Sequence, residues 1–253
     1  MRKIQIKILN PESLAENRKM MAISARLTQH GEKINDMNSF MALFDKPISD
    51  TFIKNLSGLP HPILQHLTKI NIAIIGISRR EMTQLVRHRN DVHFISSSLQ
   101  YSNYSNDADF MVPYSIIENG PNAERRYLEN CRFAMGEYKL FNDQGIDNDA
   151  CGYMSPQGLR NVLIMSATPF ELKHIISQRT CRRNTDGTRY VMLKIWEELY
   201  KLDPIFFAPD TTGPFCQRGT CKEGKMSCGH PIDKAMTPTE ILHADFPLLY
   251  APD

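Results

Sequence analysis

Two stretches of the chain alternate between apolar and other residues, and they predict two β-strands. Residues 4–8 read Ile-Gln-Ile-Lys-Ile, and residues 70–76 read Ile-Asn-Ile-Ala-Ile-Ile-Gly. A period of two places every second side chain on the same face of a strand, so the isoleucines can be buried while their neighbours stay exposed. The second strand is expected to end at Gly76.

Other stretches carry apolar residues at spacings of three and four, the period of an α-helix with one buried face. The predicted helices are a segment that begins after Pro11 and extends past Ala25, a short helix over residues 40–44, residues 128–138 with an end near Gly145, residues 172–179, and residues 192–199. Trp196 lies in the apolar stripe of the last helix and is expected to be a core residue.

Two helix starts carry the pattern of a capping box, in which a hydroxyl side chain and a glutamate three residues later satisfy each other's backbone amides. Ser78 and Glu81 form one pair, and Thr168 and Glu171 form the other. We therefore expect one helix to follow the second strand directly and another to begin at Pro169.

Several regions lack periodicity. Residues 90–106 are rich in Ser, Asn and Tyr and predict a binding loop, residues 147–158 predict a long loop, and Leu59-Pro60-His61-Pro62 predicts a turn. After Pro204 the sequence is rich in Pro, Gly and Cys, which predicts a tail that wraps the surface.

The elements together predict an α+β fold, with a mixed or antiparallel sheet and flanking helices. We expect a single domain over residues 1–204 and a Cys/Pro/Gly-rich tail, residues 205–253, packed on it.

The composition is that of an ordinary globular protein. Of 253 residues, 42% are apolar and 23% are charged, and Lys+Arg 30 against Asp+Glu 28 leaves a net charge of only +2. This balance argues against the positive field of a nucleic-acid-binding protein. The longest apolar run, residues 72–77, is too short to cross a membrane, and the N-terminal residues lack the apolar stretch of a signal peptide. We expect a cytoplasmic protein that binds neither membrane nor nucleic acid.

Three of the six cysteines, Cys216, Cys221 and Cys228, crowd into the tail, unlike a distributed disulfide framework. With Cys181 or His230 as a fourth ligand they have enough soft donors for a tetrahedral metal site, although the spacing is not the paired Cys-x2-Cys form. Free thiols that pin the tail, a structural metal and disulfides are the alternatives, and no metal ligand is assigned.

The triplet Arg87-His88-Arg89 is the main candidate for ligand binding. Two guanidinium groups and an imidazole within one predicted helical turn suit phosphates or a polyanionic cofactor. Gln84 lies three residues before Arg87 and is expected on the same helix face. A solvated basic helix end would show the same pattern, but the triplet follows an apolar strand and leads into the polar loop at 90–106. This context favours an anion-binding pocket.

The triplet and its surroundings resemble the flavin-dependent thymidylate synthase family, whose signature is Arg-His-Arg followed closely by a Ser-x-Arg-Tyr element. Matching elements occur in the family's order along nearly the whole chain, at residues 11–27, 61–66, 76–79, 84–89, 110–113, 138–146, 159–163 and 172–181.

Several positions depart from the family pattern. The Ser-x-Arg-Tyr element reads Ser98-Leu99-Gln100-Tyr101, so a neutral Gln100 stands where the family has a phosphate-binding Arg. Gln65 replaces a Glu, Ile164 replaces a Pro, residues 168–170 replace Asn-x-Arg, and residues 188–192 replace Ala-Gln-Trp-Glu-Ile. These departures indicate a divergent enzyme and leave open a modified pyrimidine nucleotide as its substrate.

The resemblance implies roles for individual residues. FAD phosphates would be held by Arg87, His88 and Arg89, and the flavin would lie near His66 and His174. The nucleotide would contact Gln84, Ser98, Gln100, Arg160 and Arg179. The catalytic candidates are Arg179, whose cation would stabilise negative charge developing on the pyrimidine, and Ser98.

Purely structural roles compete with some of these assignments. His66 could be a hydrogen-bonded structural residue, Arg179 could complement a helix dipole, and Ser98 and Gln100 could serve only to form a turn.

The resemblance also implies the reaction. The enzyme would convert dUMP to dTMP, with a methylene group from methylenetetrahydrofolate and a hydride from flavin reduced by NADPH. It would be a homotetramer with active sites at subunit junctions. The alternatives are an enzyme on the same scaffold that hydroxymethylates C5 or acts on an altered pyrimidine nucleotide, and a non-catalytic nucleotide-binding protein with a zinc tail.

Overall fold

A four-stranded antiparallel sheet forms the centre of the molecule, for which a computed structural model describes residues 1–59 and 61–250. The strands follow the order β1-β2-β4-β3 across the sheet. Their bounds are Gln5–Ile8 for β1, Ile70–Ser78 for β2, Val92–Ser96 for β3 and Arg160–Ala167 for β4. The α+β prediction is confirmed, and both predicted strands form, the second running two residues beyond Gly76.

Helices flank the sheet. In the described part of the chain they are α1 Glu12–His30, α2 Met37–Met41, α3 Asp50–Ser57, α4 Arg79–Leu85, α5 Tyr114–Glu118, α6 Pro121–Asp143, α7 Asn148–Gly152, α8 Pro169–Arg179, α9 Asp186–Leu202, α10 Pro209–Thr212 and α11 Pro238–Asp245. Short 3-10 turns lie at Gly31–Lys33, Pro62–Gln65, Gly224–Met226 and Pro247–Leu249. None of the helices described combines the length and the apolar character that crossing a bilayer requires.

The core lies between one face of the sheet and the helices α1, α8 and α9. Ile72 and Ile74 of β2 are fully buried there, opposite Met165 and Leu163 of β4. Trp196 of α9 is fully buried, as predicted, and its indole Nε1 donates to the carbonyl of Phe207 at 2.9 Å. Burying the indole therefore leaves no unsatisfied donor.

The other face of the sheet is apolar and exposed. Ile75 of β2 and Val162 of β4 are paired across the strands, as are Ile95 of β3 and Ile164 of β4. All four side chains are exposed, Ile95 to 70%. A contiguous apolar face of this kind is typical of an interaction surface.

Two regions predicted as irregular contain regular structure. Strand β3 lies within the predicted loop 90–106, because its residues pair with the long strand β4 and gain backbone hydrogen bonds that the local sequence does not predict. Helix α7 lies within the predicted loop 147–158 and begins at Asp147, whose side chain accepts the amide of Ala150.

The helices near residue 40 also differ from the prediction. The short helix spans Met37–Met41 rather than 40–44, because Asp36 and Ser39 form a capping box at its start. Helix α3, capped by Ser49, was not predicted. The predicted turn at residues 59–62 includes residue 60, which lies outside the described residues.

The region after Pro204 packs into the main core, so the expectation of a surface tail is wrong for several of its residues. Phe206, Phe207, Ile241, Leu242 and Phe246 are all fully buried. Asp245 binds the guanidinium groups of Arg182 and Arg189, which ties α11 to the preceding helices. Apolar side chains spaced irregularly between prolines and glycines gave no periodic signal. The division of the chain at residue 204 stays a prediction.

Candidate active site

The guanidinium of Arg179 is held by neutral acceptors at the end of α8. Its Nε donates to Nε2 of His88 at 2.8 Å, and its two terminal nitrogens donate to Asn184 Oδ1 at 3.2 Å and to the carbonyl of Gln84 at 3.0 Å. No carboxylate pairs with Arg179 among the residues that the structure describes. Burial and the nearby Arg87 lower its pKa. The result is an oriented cation whose charge is not neutralised locally.

His88 is a neutral imidazole in a defined tautomer. Arg179 can only donate, so Nε2 of His88 must be the acceptor, and the ring proton resides on Nδ1. Burial, followed by the charge of Arg179, lowers the pKa of His88 to about 4. The protonated Nδ1 lies 3.9 Å from Oε1 of Glu171. Near neutral pH, His88 therefore orients Arg179 without adding a second charge.

Glu171 is the buried acid of this group, on the first turn of α8. Desolvation, and then the charge of Asp91, raise the pKa of its carboxyl to about 7. A carboxyl that titrates near neutrality beside an imidazole is able to hold or release a proton at physiological pH.

His66 forms a second pair on the same side of the molecule. Its Nδ1 lies 2.8 Å from Oδ2 of Asp91, and its ring packs 4.9 Å from the ring of Phe170. Asp91 is the one non-glycine residue described with positive φ, +50°, and its carbonyl accepts the amide of Thr168 at 3.1 Å. Strain of this kind is common where a side chain must be aimed at a ligand or partner.

His174 lies on α8 between Glu171 and Gln178. Its Nε2 is 2.9 Å from Nε2 of Gln178, and its ring lies 6.4 Å from the ring of His88 in an edge-to-face arrangement. The structure therefore places His174 and His88 in one cluster, and the role of His174 near the flavin stays a prediction.

Arg87 and Arg89 flank His88 and are exposed. Neither forms an ion pair with any carboxylate in the described ranges. The prediction of one helical face is wrong, because α4 ends at Leu85 and the triplet lies in the turn and loop that connect α4 to β3. The side chain of His88 is 8% exposed, whereas both arginines are exposed to solvent.

At the starts of α4 and α8, only one of the two hydrogen bonds of a capping box forms. The hydroxyl groups of Ser78 and Thr168 accept the amides of Glu81 and Glu171, as predicted. The two glutamate side chains are buried and do not return a hydrogen bond to the capping amides. For Glu171 the reason is its position facing His88.

Arg160 lies at the opposite end of the sheet, at the start of β4. Its Nη1 donates to Oδ2 of Asp109 at 2.8 Å and its Nε to the carbonyl of Gly76 at 3.3 Å. Gly76 has φ +84°, and a Cβ there would lie 1.9 Å from Nη2 of Arg160. Glycine is thus required at residue 76 both for the backbone conformation and for the space that the guanidinium fills.

The remaining nucleotide candidates divide between the two ends. Ser98 accepts the amide of Gln100 at 3.1 Å, which is the turn-forming contact, and the side chain of Gln100 is exposed. Both lie near Arg160, because the amide of Ser97 donates to the carbonyl of Val162. Gln84 instead contacts Arg179 through its backbone carbonyl.

The predicted residues therefore form two groups in one chain. The group at the Arg179 end contains Gln84, Arg87, His88, Arg89, His66, His174 and Arg179, and the group at the Arg160 end contains Ser98, Gln100 and Arg160. On β4, Arg160 pairs with Ser78 and Ala167 pairs with Ile70. Seven residues of strand separate these points, about 23 Å at 3.3 Å per residue.

Three residues of the Arg179 end were not predicted as site residues. Glu171 was assigned only a capping role, Asp91 was part of the predicted loop, and Lys173 was assigned no role. The only sequence signal was the Asn-Asp pair after the triplet, which favours a turn with left-handed backbone. The burial of Glu171 and Lys173 depends on contacts with distant segments, which no local pattern shows.

The cysteines of the tail line a small cavity with Cys181. The wall includes Cys181, Cys216, Cys221, Cys228 and His230. All six cysteines of the chain are free thiols, and in residues 1–59 and 61–250 no three His, Cys, Asp or Glu side chains are arranged to hold a metal ion. Amides of Ile232 and His230 donate to Sγ of Cys216 and Cys228, each at 3.4 Å. The thiols thus pin parts of the tail to each other.

Fold and site together define an α+β protein with a preformed cationic site for anionic ligands. A family model described as "Thymidylate synthase complementing protein" matches residues 12–205. The matched span is well over half of the chain, and the chain belongs to this family, the flavin-dependent thymidylate synthases. The predictions of the family and of an FAD-dependent enzyme of this class are thereby confirmed.

Relatives support this assignment along most of the chain. A protein of Geobacter sulfurreducens named flavin-dependent thymidylate synthase is 25% identical over 211 residues, which cover 83% of this chain and 88% of that protein. One of Thermococcus kodakarensis with the same name is 28% identical over 197 residues, which cover 76% and 79%.

Two solved structures share the fold. A UMP/dUMP methylase from Streptomyces cacaoi, bound with 5-Br dUMP, superposes with a TM-score of 0.63 and 18% identity over 83% of this chain and 96% of that one. Thymidylate synthase X from Helicobacter pylori, with FAD and dUMP, gives a TM-score of 0.62 and 13% identity over 83% and 99%.

Proposed function

We propose that the protein converts dUMP to dTMP, with methylenetetrahydrofolate as the one-carbon donor and NADPH as the source of reducing power. The observation that carries the proposal is the oriented, unneutralised guanidinium of Arg179, held by His88 in a chain whose family catalyses this reaction. Such a preorganised cation stabilises negative charge as it develops, without the cost of reorienting solvent.

The residues present fit an FAD. Arg87 and Arg89 project unpaired guanidinium groups on either side of the neutral His88, which suits the two phosphates of a dinucleotide. His66 and His174 supply ring faces nearby for the flavin. We assign these five residues to cofactor binding. When bound, reduced FAD supplies the hydride of the reaction.

The chain's own residues orient the substrate and its charge. Arg179 would face the pyrimidine and stabilise negative charge on it as C5 attacks the one-carbon unit. Glu171 lies near His88, with its Oε1 3.9 Å from Nδ1, and the tautomer of the imidazole is fixed by the hydrogen bond from Arg179. Gln84, Ser98, Gln100 and Arg160 remain assigned to nucleotide binding, with Ser98 as a second catalytic candidate.

Arg160 is the strongest candidate for the nucleotide phosphate among these residues. Its ion pair with Asp109 leaves a terminal nitrogen, Nη2, beside Gly76, at the rim of a cleft that Arg2 and Lys3 also line. Arg2 and Lys3 are paired with Glu124 and Asp109, so Arg160 is the residue that would compensate for the neutral Gln100.

The identity of the pyrimidine is the open point that a second candidate function addresses. One structural neighbour is a UMP/dUMP methylase, and Gln100 replaces a charged residue of the family. An enzyme that hydroxymethylates C5 or accepts another pyrimidine nucleotide is therefore the second candidate. The mass of the product distinguishes the two.

We also propose a homotetramer with active sites between subunits. The residues assigned to the nucleotide are divided between two groups in one chain, with Arg179 and Gln84 in one and Arg160, Ser98 and Gln100 in the other. The exposed apolar face of Ile75, Ile95, Val162 and Ile164 supplies a surface on which a second copy can pack. Packing of copies brings the Arg160 end of one chain to the Arg179 end of another. A cytoplasmic location stays a prediction.

The decisive experiment is anaerobic reoxidation of the dithionite-reduced, FAD-loaded protein with dUMP and methylenetetrahydrofolate, followed by mass analysis of the nucleotide. A gain of one methyl group in place of hydrogen is expected. A hydroxymethyl product, or turnover only with another pyrimidine, would establish the second candidate. A folded protein that binds no flavin would exclude both.

A further inference from the structure

A second cleft lies beside the proposed flavin site and has a volume of about 530 Å³. Its walls are the end of α3, the 3-10 turn Pro62–Gln65, helix α8, and residues 210–222 of the region after Pro204. The last wall follows the span 12–205 that the family model matches. This part of the cleft is thus a feature of this chain outside the matched span.

The ionisable side chains that line the cleft give it a positive charge. Arg218 and Lys222 are cationic, Lys173 is a buried amine and only Asp210 is acidic, while burial lowers the pKa of His174. Neither Arg218 nor Lys222 pairs with a carboxylate in the chain as far as the structure describes it. Two cations are therefore available to a ligand from solvent.

Lys173 is the unusual residue of this cleft. Its side chain is only 6% exposed, and its ammonium Nζ has no hydrogen-bond partner within the described residues. It lies 3.6 Å from the centre of the Phe206 ring, a cation–π contact that compensates only part of the lost hydration. Desolvation, and then the charge of Arg218, lower its pKa to about 7.

Gln65, on another wall of the cleft, is a second buried polar residue. It is 4% exposed, and its Oε1 also has no partner in the part of the chain described. Buried polar atoms without partners are rare in folded proteins, and two residues that line this cleft carry such atoms.

A hydrogen bond holds the guanidinium of Arg218 in a defined orientation. Its Nη1 donates to Oγ of Ser177 at 2.8 Å, and that buried hydroxyl donates in turn to the carbonyl of Thr212 at 3.0 Å. The guanidinium is thereby oriented with its remaining donors free for an anion.

The cleft adjoins residues assigned to the proposed flavin site. Phe170 and His174 line it, and these residues contact His66 and Gln178 on their other sides. The cleft therefore shares His174 with the residues assigned to the flavin, and its Phe170 packs against His66.

We propose that this cleft binds the anionic end of a cosubstrate through Lys173, Arg218 and Lys222. The inference rests on the proposed function, which requires two cosubstrates with such groups. The folate carries glutamyl carboxylates, and the nicotinamide dinucleotide carries a 2′-phosphate. Both are multiply charged oxyanions that suit an arginine fork beside two ammonium groups.

The test is calorimetric titration of the FAD-loaded protein with tetrahydrofolate as monoglutamate and as triglutamate, and with NADPH and NADH. The variant is Arg218→Gln with Lys222→Gln, two exposed positions at which folding is not at risk. Lys225→Gln, exposed in the same region but outside the cleft, is the matched control.

The double variant is expected to bind the triglutamate or NADPH at least about ten-fold more weakly, while the control binds as the wild type does. A loss confined to the triglutamate identifies the folate as the source of the anion, and a loss confined to NADPH identifies the dinucleotide. Equal losses for NADH and the monoglutamate, or none for any ligand, would overturn the proposal. So would weaker FAD binding with unchanged cosubstrate binding.

Binding without turnover keeps this test separate from the proposed reaction. A wild-type protein that makes no dTMP but binds NADPH or triglutamate through these cations would refute the reaction and leave the cleft assignment standing. If the double variant formed dTMP normally and bound every cosubstrate as the wild type does, the cleft assignment would be refuted and the proposed reaction would stand.

Discussion

Arg179 and His88 are joined by a hydrogen bond of 2.8 Å in which the guanidinium Nε donates to the imidazole Nε2. The bond connects the end of α8 to the loop between α4 and β3, and it determines the tautomer of His88. A histidine that accepted a proton at Nε2 could no longer hold Arg179. The low pKa of His88 is therefore a condition for the orientation of Arg179 at neutral pH.

Replacing Arg179 by Lys is expected to lower kcat by roughly 100-fold or more, because an ammonium on a flexible stem cannot make the three hydrogen bonds of the planar fork. Flavin absorbance of the purified protein should be unchanged. Arg183→Lys, exposed and nearby, is the control. A kcat above half of the wild-type value in Arg179→Lys would remove Arg179 from the catalytic assignment.

Titration of the Glu171 carboxyl makes the free energy of unfolding depend on pH. Its folded-state pKa is raised from 4.5 to about 7, so between these values the folded protein binds more protons than the unfolded chain. Stability from this group therefore falls as pH rises from 4.5 to 7. Glu171→Gln removes that fall.

Urea unfolding at pH 5, 6, 7 and 8 measures the effect. The free energy of unfolding of Glu171→Gln, relative to the wild type, should rise from pH 5 to 7 and level off above, whereas Glu16→Gln on the exposed face of α1 should show no such trend. A difference that stays constant across the series would contradict the burial argument.

The sequence predicted those parts of the fold that have a strong local pattern. The isoleucine alternation located β1 and β2, and the apolar spacing located α6, α8 and α9. Strand β3 could not be found in this way, because Val92–Ser96 has only three apolar residues amid polar neighbours and is stabilised by pairing with β4.

Local sequence patterns also do not predict the contacts between distant segments within the candidate site. The Arg-His-Arg motif identified His88, and its bond to Arg179, 91 residues away, depends on the packing of α8. The shifted pKa values of Lys173 and Glu171 arise from burial by distant segments. Residue type and spacing along the chain do not predict that burial.

Gly76→Ala tests the placement of Arg160. The new Cβ would lie 1.9 Å from Nη2 of Arg160, at a backbone φ of +84°. Gly145→Ala is the matched control, since its φ is +87° and nothing lies within 4 Å of its Cβ position. The control measures backbone strain alone, about 1–2 kcal/mol.

We expect Gly76→Ala to lose more unfolding free energy than Gly145→Ala and to raise KM for the nucleotide, because Arg160 is displaced. Chemical denaturation and steady-state kinetics measure the two effects. Equal losses of stability and an unchanged KM would show that Arg160 does not depend on the space at Gly76.

Lys173→Met should stabilise the protein most at low pH. The pKa of Lys173 falls from 10.5 to about 7 on folding, so between these values the unfolded chain binds more protons and wild-type stability rises with pH. The penalty of burying the charge is complete below pH 7 and amounts to at most about 5 kcal/mol.

Unfolding of Lys173→Met in urea at pH 6, 8 and 9.5 should therefore show an advantage over the wild type that shrinks as pH rises. Lys234→Met, at an exposed position, should show no comparable change. An advantage that grows with pH would mean that the ammonium is stabilised in the fold, contrary to its lack of hydrogen-bond partners.

The exposed face of the sheet makes a prediction about assembly. Ile95 and Ile164 are opposite each other on β3 and β4 and both are exposed. Placing a lysine at each would bury two charges in any interface formed on this face, which is strongly unfavourable without partners.

The double variant Ile95→Lys with Ile164→Lys is expected to lower the oligomeric state measured by light scattering and to lose dTMP formation. Met226→Lys, at an exposed apolar residue outside the sheet, should leave both unchanged. If the double variant kept the wild-type mass and activity, this face would not be the interface, and the two groups of site residues would have to meet in another way.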